Sequence, residues 1–311
     1  MTHTIFIDGE AGTTGLEIRE RLEARSDLEL ILLGERRRDV EARREALNSA
    51  DAVILCLPDD AAIEAVSMIE NPAVRVIDAS TAYRVNPEWV YGFAEMAPGQ
   101  REKIAASTRV SNPGCYPTGL IGLVRPLVSA GIIPAGWPVT VNAVSGYSGG
   151  GKAMIAEFEA EGGAEAFRAY GLTLKHKHVP EMTLHTGLER KVLFAPAVGA
   201  YRQGMLVEVP LHLGALPGSP SVEVVHGALA EAYAGARFVE VAELEASEAM
   251  TGIDPEGLNG TNRMRLHVFG DRAGEQARLV ALLDNLGKGA SGAAVQNLNI
   301  MLGLAEDTGL A

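Results

Sequence analysis

Cysteine is scarce: the 311 residues contain two, Cys56 and Cys115. That excludes a disulfide framework and makes a reducing cytoplasm the expected setting. No leader is expected either. Met1-Thr2-His3-Thr4-Ile5-Phe6-Ile7 has no basic segment, no long apolar segment and no cleavage site, so it does not read as a signal peptide. The longest apolar region, Leu120 to Val144, is broken by Arg125, Pro126, Pro134 and Pro138, so no membrane span is expected. Positive charge is short too: 27 Lys and Arg against 40 Asp and Glu give a formal net charge of −13. That balance argues against nucleic acid as a partner. An acidic chain that handles an anionic ligand must gather its positive groups locally. No internal repeat and no disordered tract is visible. The remainder, 47% hydrophobic and 22% charged, is enough for a full core and for two domains.

The amino-terminal third alternates strand and helix patterns, which implies a parallel sheet. Thr4-Ile5-Phe6-Ile7 reads as a strand. Asp8-Gly9-Glu10-Ala11-Gly12-Thr13-Thr14-Gly15 is a glycine turn, and Leu16 to Leu22 has helical spacing. Glycines at 9, 12 and 15 depart from the usual G-x-G-x-x-G, yet they follow a strand and open a helix. That context lets backbone amides approach a pyrophosphate at the helix N-terminus. A second strand, Leu28 to Leu33, ends at Glu35-Arg36-Arg37-Arg38. An acid at that spacing suits the ribose hydroxyl of NAD, whereas Arg36 and its neighbours suit the 2′-phosphate of NADP; the expectation leans to NADP. Two more strands, 52–57 and 74–79, carry Pro58 and Ser80 at their carboxyl ends, where ligands of such sheets collect. Cys56 falls in the apolar run Ala52 to Leu57 and reads as core. Arg84, in the loop beyond Ser80, is a candidate anion clamp.

Cys115 stands in Ser111-Asn112-Pro113-Gly114-Cys115-Tyr116-Pro117-Thr118-Gly119, directly before Leu120-Ile121-Gly122-Leu123-Val124. Pro117 suits the first turn of a helix. The sulfur is therefore expected at a helix N-terminus, where unpaired amides and the dipole favour the thiolate.

After Cys115 the pattern turns to strands at 139–144, 191–195, 205–211, 262–269 and 276–283, the last ambiguous with helix. Val222–Val225 reads either as a strand or as the start of a helix. The expected architecture is α/β: a Rossmann-type parallel-sheet domain, 1–114 and 290–311, plus an α+β domain, 115–289, with a mostly antiparallel sheet. Two clusters within the second domain carry chemistry. Ser145-Gly146-Tyr147-Ser148-Gly149-Gly150-Gly151-Lys152 is a glycine-rich loop whose amides and lysine suit an anion. Its spacing is not that of a Walker A loop. Lys175-His176-Lys177-His178-Val179-Pro180-Glu181 supplies two histidines and an acid. No further ligand set supports a metal. A histidine that relays protons beside a thiolate, oriented by Glu181, is the stronger reading.

Taken in order, these motifs, together with Ile77-Asp78-Ala79-Ser80 and Ala293-Ala294-Val295-Gln296-Asn297-Leu298, resemble the short-form N-acetyl-γ-glutamyl-phosphate reductases. Those enzymes share an architecture with the aspartate-semialdehyde dehydrogenases, whose residues around the cysteine fit less well. The resemblance implies NADPH-dependent reduction of an acyl phosphate through a cysteine thioester, in arginine biosynthesis, by a homo-oligomer (dimer or tetramer). It implies Cys115 as nucleophile, His178 as general acid/base with Glu181 as its partner, and His176 as the fallback. It assigns Gly9, Gly12, Thr13, Thr14, Gly15, Arg36, Pro58, Ser80, Ser145, Gly146 and Asn297 to the cofactor. Arg84, Ser148, Gly149, Lys152 and His176 are assigned to the substrate. A related acyl-phosphate reductase and a non-redox cysteine hydrolase or acyltransferase are the rival expectations.

Overall fold

The structure, a computed structural model, describes residues 2–271 and 273–311. It divides into two compact units: Met1–Ala94 with Gly99–Gly114 and Ala290–Ala311, and Glu95–Pro98 with Cys115–Gly289.

In the first unit six strands form one sheet: β1 (His3–Asp8), β2 (Leu28–Ile31), β3 (Ala52–Leu55), β4 (Arg75–Asp78), β5 (Val90–Tyr91) and β6 (Arg109–Ser111). The order is β2-β1-β3-β4-β6-β5, and each neighbouring pair is parallel. Alternation along the strands supplies two cores. Ile5, Ile54 and Ile77 face Ile18 and Leu22 of α1 (Thr13–Glu23) and Leu298 from the far end of the chain. Phe6, Val53, Leu55 and Val76 face Ala46 and Leu47 of α2 (Val40–Ser49) and Ala62 and Ala65 of α3 (Asp59–Ser67). Burial on both sides explains why these strands read as continuous apolar runs. A short α4 (Gln100–Ala106) precedes β6. The strand order reverses direction between β1 and β3, the place in an open parallel sheet where ligands bind.

The second unit holds a seven-stranded sheet of β7 (Thr140–Gly146), β8 (Phe167–Ala169), β9 (Leu193–Gly199), β10 (Met205–His212), β11 (Val239–Val241), β12 (Met264–Gly270) and β13 (Gln276–Leu283). Its order is β11-β12-β13-β10-β7-β9-β8. Pairing is antiparallel from β12 through β13 and β10 to β7 and again between β9 and β8. It is parallel for β11–β12 and β7–β9. The expected α/β class with a mostly antiparallel second sheet therefore holds. Helix α5 (Cys115–Ser129) buries Leu120, Ile121, Leu123, Val124 and Leu127 completely; each such side chain contributes roughly 1.5–3 kcal/mol. With α5 go α6 (Gly151–Glu159), α7 (Val179–Thr186), α8 (Val222–Ala232) and the short α9 (Leu244–Glu248). Helices α5 and α8 pack on one face of the sheet. On the other face Asn142, Pro210, His212 and Arg278 stand exposed. The chain ends on α10 (Gly292–Leu302), which belongs to the first unit.

The two ambiguous segments resolve in opposite directions: Val222–Val225 opens α8, and Gln276–Leu283 is β13. The strand expected at 191–195 runs instead from Leu193 to Gly199, straight through Pro196. Cys56 lies one residue beyond β3 and is half-buried. Among the described residues no helix is long and apolar enough to cross a membrane.

Candidate active site

The glycine turn of the first unit is built by close packing. A Cβ on Gly9, whose φ is +90°, would stand 2.4 Å from the carbonyl oxygen of Cys56. One on Gly15 would stand 2.4 Å from the carbonyl oxygen of Gly9. Only glycine lets β1, the residue after β3 and the first turn of α1 meet this closely. Gly12 is the N-cap of α1 and offers no side chain to its amides, and the first turn has no acidic residue. Thr13 and Thr14 open the helix, so this is a bare N-terminus at the strand-order reversal, suited to an anion.

The other predicted cofactor residues of this unit lie at the same carboxyl edge. Pro58 is the N-cap of α3. Ser80 is buried, and its Oγ donates to Asp78 at 2.7 Å. Arg36 sits in the 3₁₀ turn Gly34–Arg38 after β2, 65% exposed, with a 3.4 Å contact to Asp39. Asp39 itself is engaged in capping α2 through Glu41 N and Ala42 N. The side chains of Arg37 and Arg38, grouped with Arg36 in the sequence reading, lie outside the described ones. Asn297 is fully buried in α10; its Nδ2 donates to Gly92 O (2.9 Å) and Asn112 Oδ1 (3.1 Å). Its Oδ1 has no hydrogen-bond partner among the described residues. A buried acceptor without a donor is costly. Arg84, by contrast, is 8% exposed and donates to the backbone carbonyls of Asn112 (2.9 Å) and Ala79 (3.0 Å). It ties the loop after β4 to the loop after β6.

Burial pushes the Asp78 carboxyl up to about 6, against the opposing bonds from Ser80. The folded chain thus keeps this proton to a higher pH than the unfolded one, whose carboxyl titrates near 3.8. Stability from this group is absent at pH 8 and grows as pH falls through 6 toward 4. In urea unfolding, the stability of wild type relative to Asp78→Asn should therefore rise by about 1.4 kcal/mol between pH 8 and pH 5. A difference that does not move with pH would remove this account.

In the second unit Cys115 is the first residue of α5 and is half-buried. Around Tyr116, the next residue, the structure gathers an aromatic cluster. Its ring centroid lies 6.3 Å from His176, 6.1 Å from His178 and 5.1 Å from Phe194. The Tyr170 hydroxyl donates to that of Tyr116 at 3.1 Å, which donates to Ala197 O at 3.2 Å. Burial, against the lowering bond to Tyr116, leaves the Tyr170 phenol at about 12.

His178, 8% exposed, is the N-cap of α7, and Glu181, 1% exposed, lies in that helix's first turn. His176 Nδ1 accepts the backbone N–H of His178 at 3.2 Å, which places the proton of the neutral ring on Nε2. Burial, and then Lys177, push its pKa down against the pull of Glu181.

The glycine-rich loop forms a 3₁₀ turn, Tyr147–Gly150, leading from β7 into α6. The N–H groups of Gly146 and Ser148 donate to Gly204 and Arg202 carbonyls, and Ser145 Oγ donates to Gly146 O. Ser148 is buried beneath Asn285, whose Nδ2 donates to its Oγ at 3.0 Å. Gly149 packs beside Ser145 Oγ. Lys152 is exposed on the first turn of α6. Thus Cys115, Tyr116, His176, His178 and Glu181 form one neighbourhood, and Ser145, Gly146, Ser148 and Gly149 form a loop fastened by Asn285. Tyr170, Asp284, Asn285 and Lys288 were not anticipated. The hydrogen-bonding pair Asp284-Asn285 directly after an apolar strand was the available signal.

Residues 115–285 match the family described as semialdehyde dehydrogenase, dimerisation domain. Residues 4–106 match semialdehyde dehydrogenase, NAD binding domain. The chain is similar to the N-acetyl-γ-glutamyl-phosphate reductase of Burkholderia ambifaria, 56% identical over 97% of this chain and 96% of that one. It is 57% identical to the enzyme of that name from Brucella anthropi, over 97% of this chain and 99% of the relative. Among solved structures, aspartate semialdehyde dehydrogenase II of Vibrio cholerae aligns with TM-score 0.71 at 16% identity, over 97% of this chain and 98% of that one. The Francisella tularensis aspartate semialdehyde dehydrogenase gives 0.70 at 12%, over 97% and 100%. At these identities the likeness is one of fold.

Proposed function

The chain belongs to the semialdehyde dehydrogenase family, among its N-acetyl-γ-glutamyl-phosphate reductases, and from that membership we propose that it reduces N-acetyl-γ-glutamyl phosphate through a thioester on Cys115. The observation that carries the mechanism is the placing of Cys115 at the start of α5, with His178 and Tyr116 in one aromatic cluster.

His178 takes the thiol proton, and the helix N-terminus favours the resulting thiolate. The sulfur attacks the acyl carbon; the S–C bond forms, and the C–O bond to phosphate breaks with its electron pair leaving on inorganic phosphate. When bound, the nicotinamide coenzyme supplies the hydride that turns the thioester into a thiohemiacetal oxyanion. His178 protonates that oxygen. It then withdraws the same proton as the C–S bond breaks, releasing N-acetylglutamate semialdehyde and restoring the thiolate. Glu181, in the first turn of the helix that His178 caps, is the proposed orienting carboxylate. His176 enters as an Nε2–H donor to substrate and Lys152 as an exposed cation for its anionic groups. Ser148 and Gly149 shape the loop beside them.

The first unit fits the coenzyme. Gly9, Gly12, Thr13, Thr14 and Gly15 would hold the pyrophosphate on the bare start of α1. Pro58 and Ser80 line the same edge, and Asn297 Oδ1 offers the buried acceptor. We infer NADP as the coenzyme, because Arg36 is exposed at the end of β2 and its contact among the described residues is to a carboxylate already engaged as a cap. We infer a homo-oligomer formed on the outer face of the second sheet, where Phe167, Leu172 and Leu174 stand 60%, 79% and 58% exposed. The catalytic thiol and the absence of a disulfide suit a reducing cytoplasm.

Phosphate-dependent oxidation of aldehydes by the purified protein tests the reading. N-acetylglutamate semialdehyde with NADP should be the efficient combination, with NAD and aspartate semialdehyde each poorer by about tenfold or more. Preference for aspartate semialdehyde would overturn the substrate, and preference for NAD the coenzyme.

A further inference from the structure

Lys288 is buried to 1% exposure. Its ammonium lies 2.8 Å from each carboxylate oxygen of Glu95, itself 8% exposed. It also stands 5.5 Å from the centre of the Phe238 ring. A buried ion pair is a poor source of stability, since desolvation offsets most of the attraction and apolar replacements of both partners are often neutral. Its surroundings give it another use. Lys288 belongs to a π-turn, Gly287–Ser291, a wide turn that recurs at functional sites. The next residue, Gly289, lies against the nucleophile: a Cβ there would stand 2.8 Å from Cys115 Cβ and 3.2 Å from its Cα.

The segment just before the turn is fixed just as firmly. Asp284 accepts from Gln203 Nε2 (2.6 Å), Gly260 N (2.8 Å) and Leu286 N (2.8 Å). Asn285 accepts from Gly204 N at 2.7 Å and donates to Ser148 Oγ. Gly289 N closes back onto Asp284 O at 2.9 Å. One side of the turn is thus held by hydrogen bonds to Asp284 and Asn285 and the other by Lys288 and Glu95.

We propose that the Lys288–Glu95 pair is a positioning element that holds the Gly287–Ser291 turn against Cys115 and so fixes the direction of the sulfur. The inference rests on Cys115 being the nucleophile. On this proposal Lys288 and Glu95 act on the reaction through the turn.

The test compares Lys288→Met, Glu95→Leu, the double variant and Cys115→Ser. Each single variant leaves a buried charge unpaired and should lower the thermal midpoint. The double variant should regain it to within about 3 °C. Its kcat should nevertheless stay about tenfold to a hundredfold below wild type, with the KM values unchanged, as expected when a reacting group is misdirected. Alkylation of Cys115 by iodoacetamide, read from the mass of its peptide, should slow and shift its pH dependence. A double variant with wild-type kcat and wild-type alkylation overturns the proposal. If the double variant does not fold, Glu95→Gln, which keeps the volume and an acceptor, must show the same lowered kcat; wild-type behaviour there is equally fatal. Activity surviving in Cys115→Ser sinks the nucleophile reading instead, and the alkylation profile still decides the clamp.

Discussion

Cys115→Ala should leave turnover lower by on the order of 10⁴-fold or more, the scale seen when a nucleophile working as a unit with its base is removed. Cys115→Ser should fare little better, because a hydroxyl in the same place is far harder to ionise than a thiol. The remaining thiol offers no substitute. Burial pushes Cys56 up to about 12, and the charges of Asp78 and Asp8 add to that effect. It belongs to the first unit, one residue past β3. Folding and coenzyme affinity should survive, because the first unit contains its own glycine turn and Asn297. The discriminating measurement is rapid mixing with acyl phosphate alone: wild type should release phosphate in a burst and acquire the acyl mass on Cys115, and neither variant should. Phosphate release from Cys115→Ala at the wild-type rate would refute the thioester route.

His178→Ala should slow kcat by about 10²–10⁴-fold, the usual contribution of a positioned acid or base, with only a small change in KM. His176→Ala should cost less. The difference follows from the hydrogen bond between them. His176 Nδ1 is occupied by the His178 amide, and burial disfavours its cation. It can donate through Nε2, but cycling a proton would require giving up that bond. His178 sits at the cap of α7, 6.1 Å from the Tyr116 ring by centroid. The pH profile of kcat should lose the limb set by the imidazole in His178→Ala and keep it in His176→Ala. The reverse pattern would exchange the two roles.

Most of the fold was legible because its determinants are local. Ile5, Ile54 and Ile77 recur in short apolar runs between helical stretches, and a parallel sheet buried on both faces has no other appearance. The glycine turn was legible for the same reason: a strand, a glycine turn and a helix are contiguous. Short or interrupted elements escaped. β5 has two residues and β8 three. Pro196 hides the continuation of β9, which the sheet tolerates although proline has no N–H to give. Val222-Glu223-Val224-Val225 looks like a strand until Ser221 is seen accepting from Val224 N at 3.4 Å as a helix cap. In the site, Cys115 announced itself by residue type and neighbours, whereas His178 and Glu181 were singled out by the likeness of their motif to the reductases. Tyr170 was not, because its partner Tyr116 is 54 positions away. Lys288 and Glu95 are 193 apart, and only the folded chain brings them together.

The first unit contains residues from both ends of the chain. Ala294, Val295 and Leu298 of α10 are fully buried in the core that also contains Ile5 and Ile77. Arg25 reaches Asn299 Oδ1 at 2.6 Å across 274 positions. During synthesis, therefore, the nucleotide-binding half must wait with one side of its core exposed while nearly two hundred residues of the other half emerge from the ribosome. The later-made unit is contiguous apart from four residues and can condense first. Maturation of the coenzyme pocket thus waits until α10 has been made.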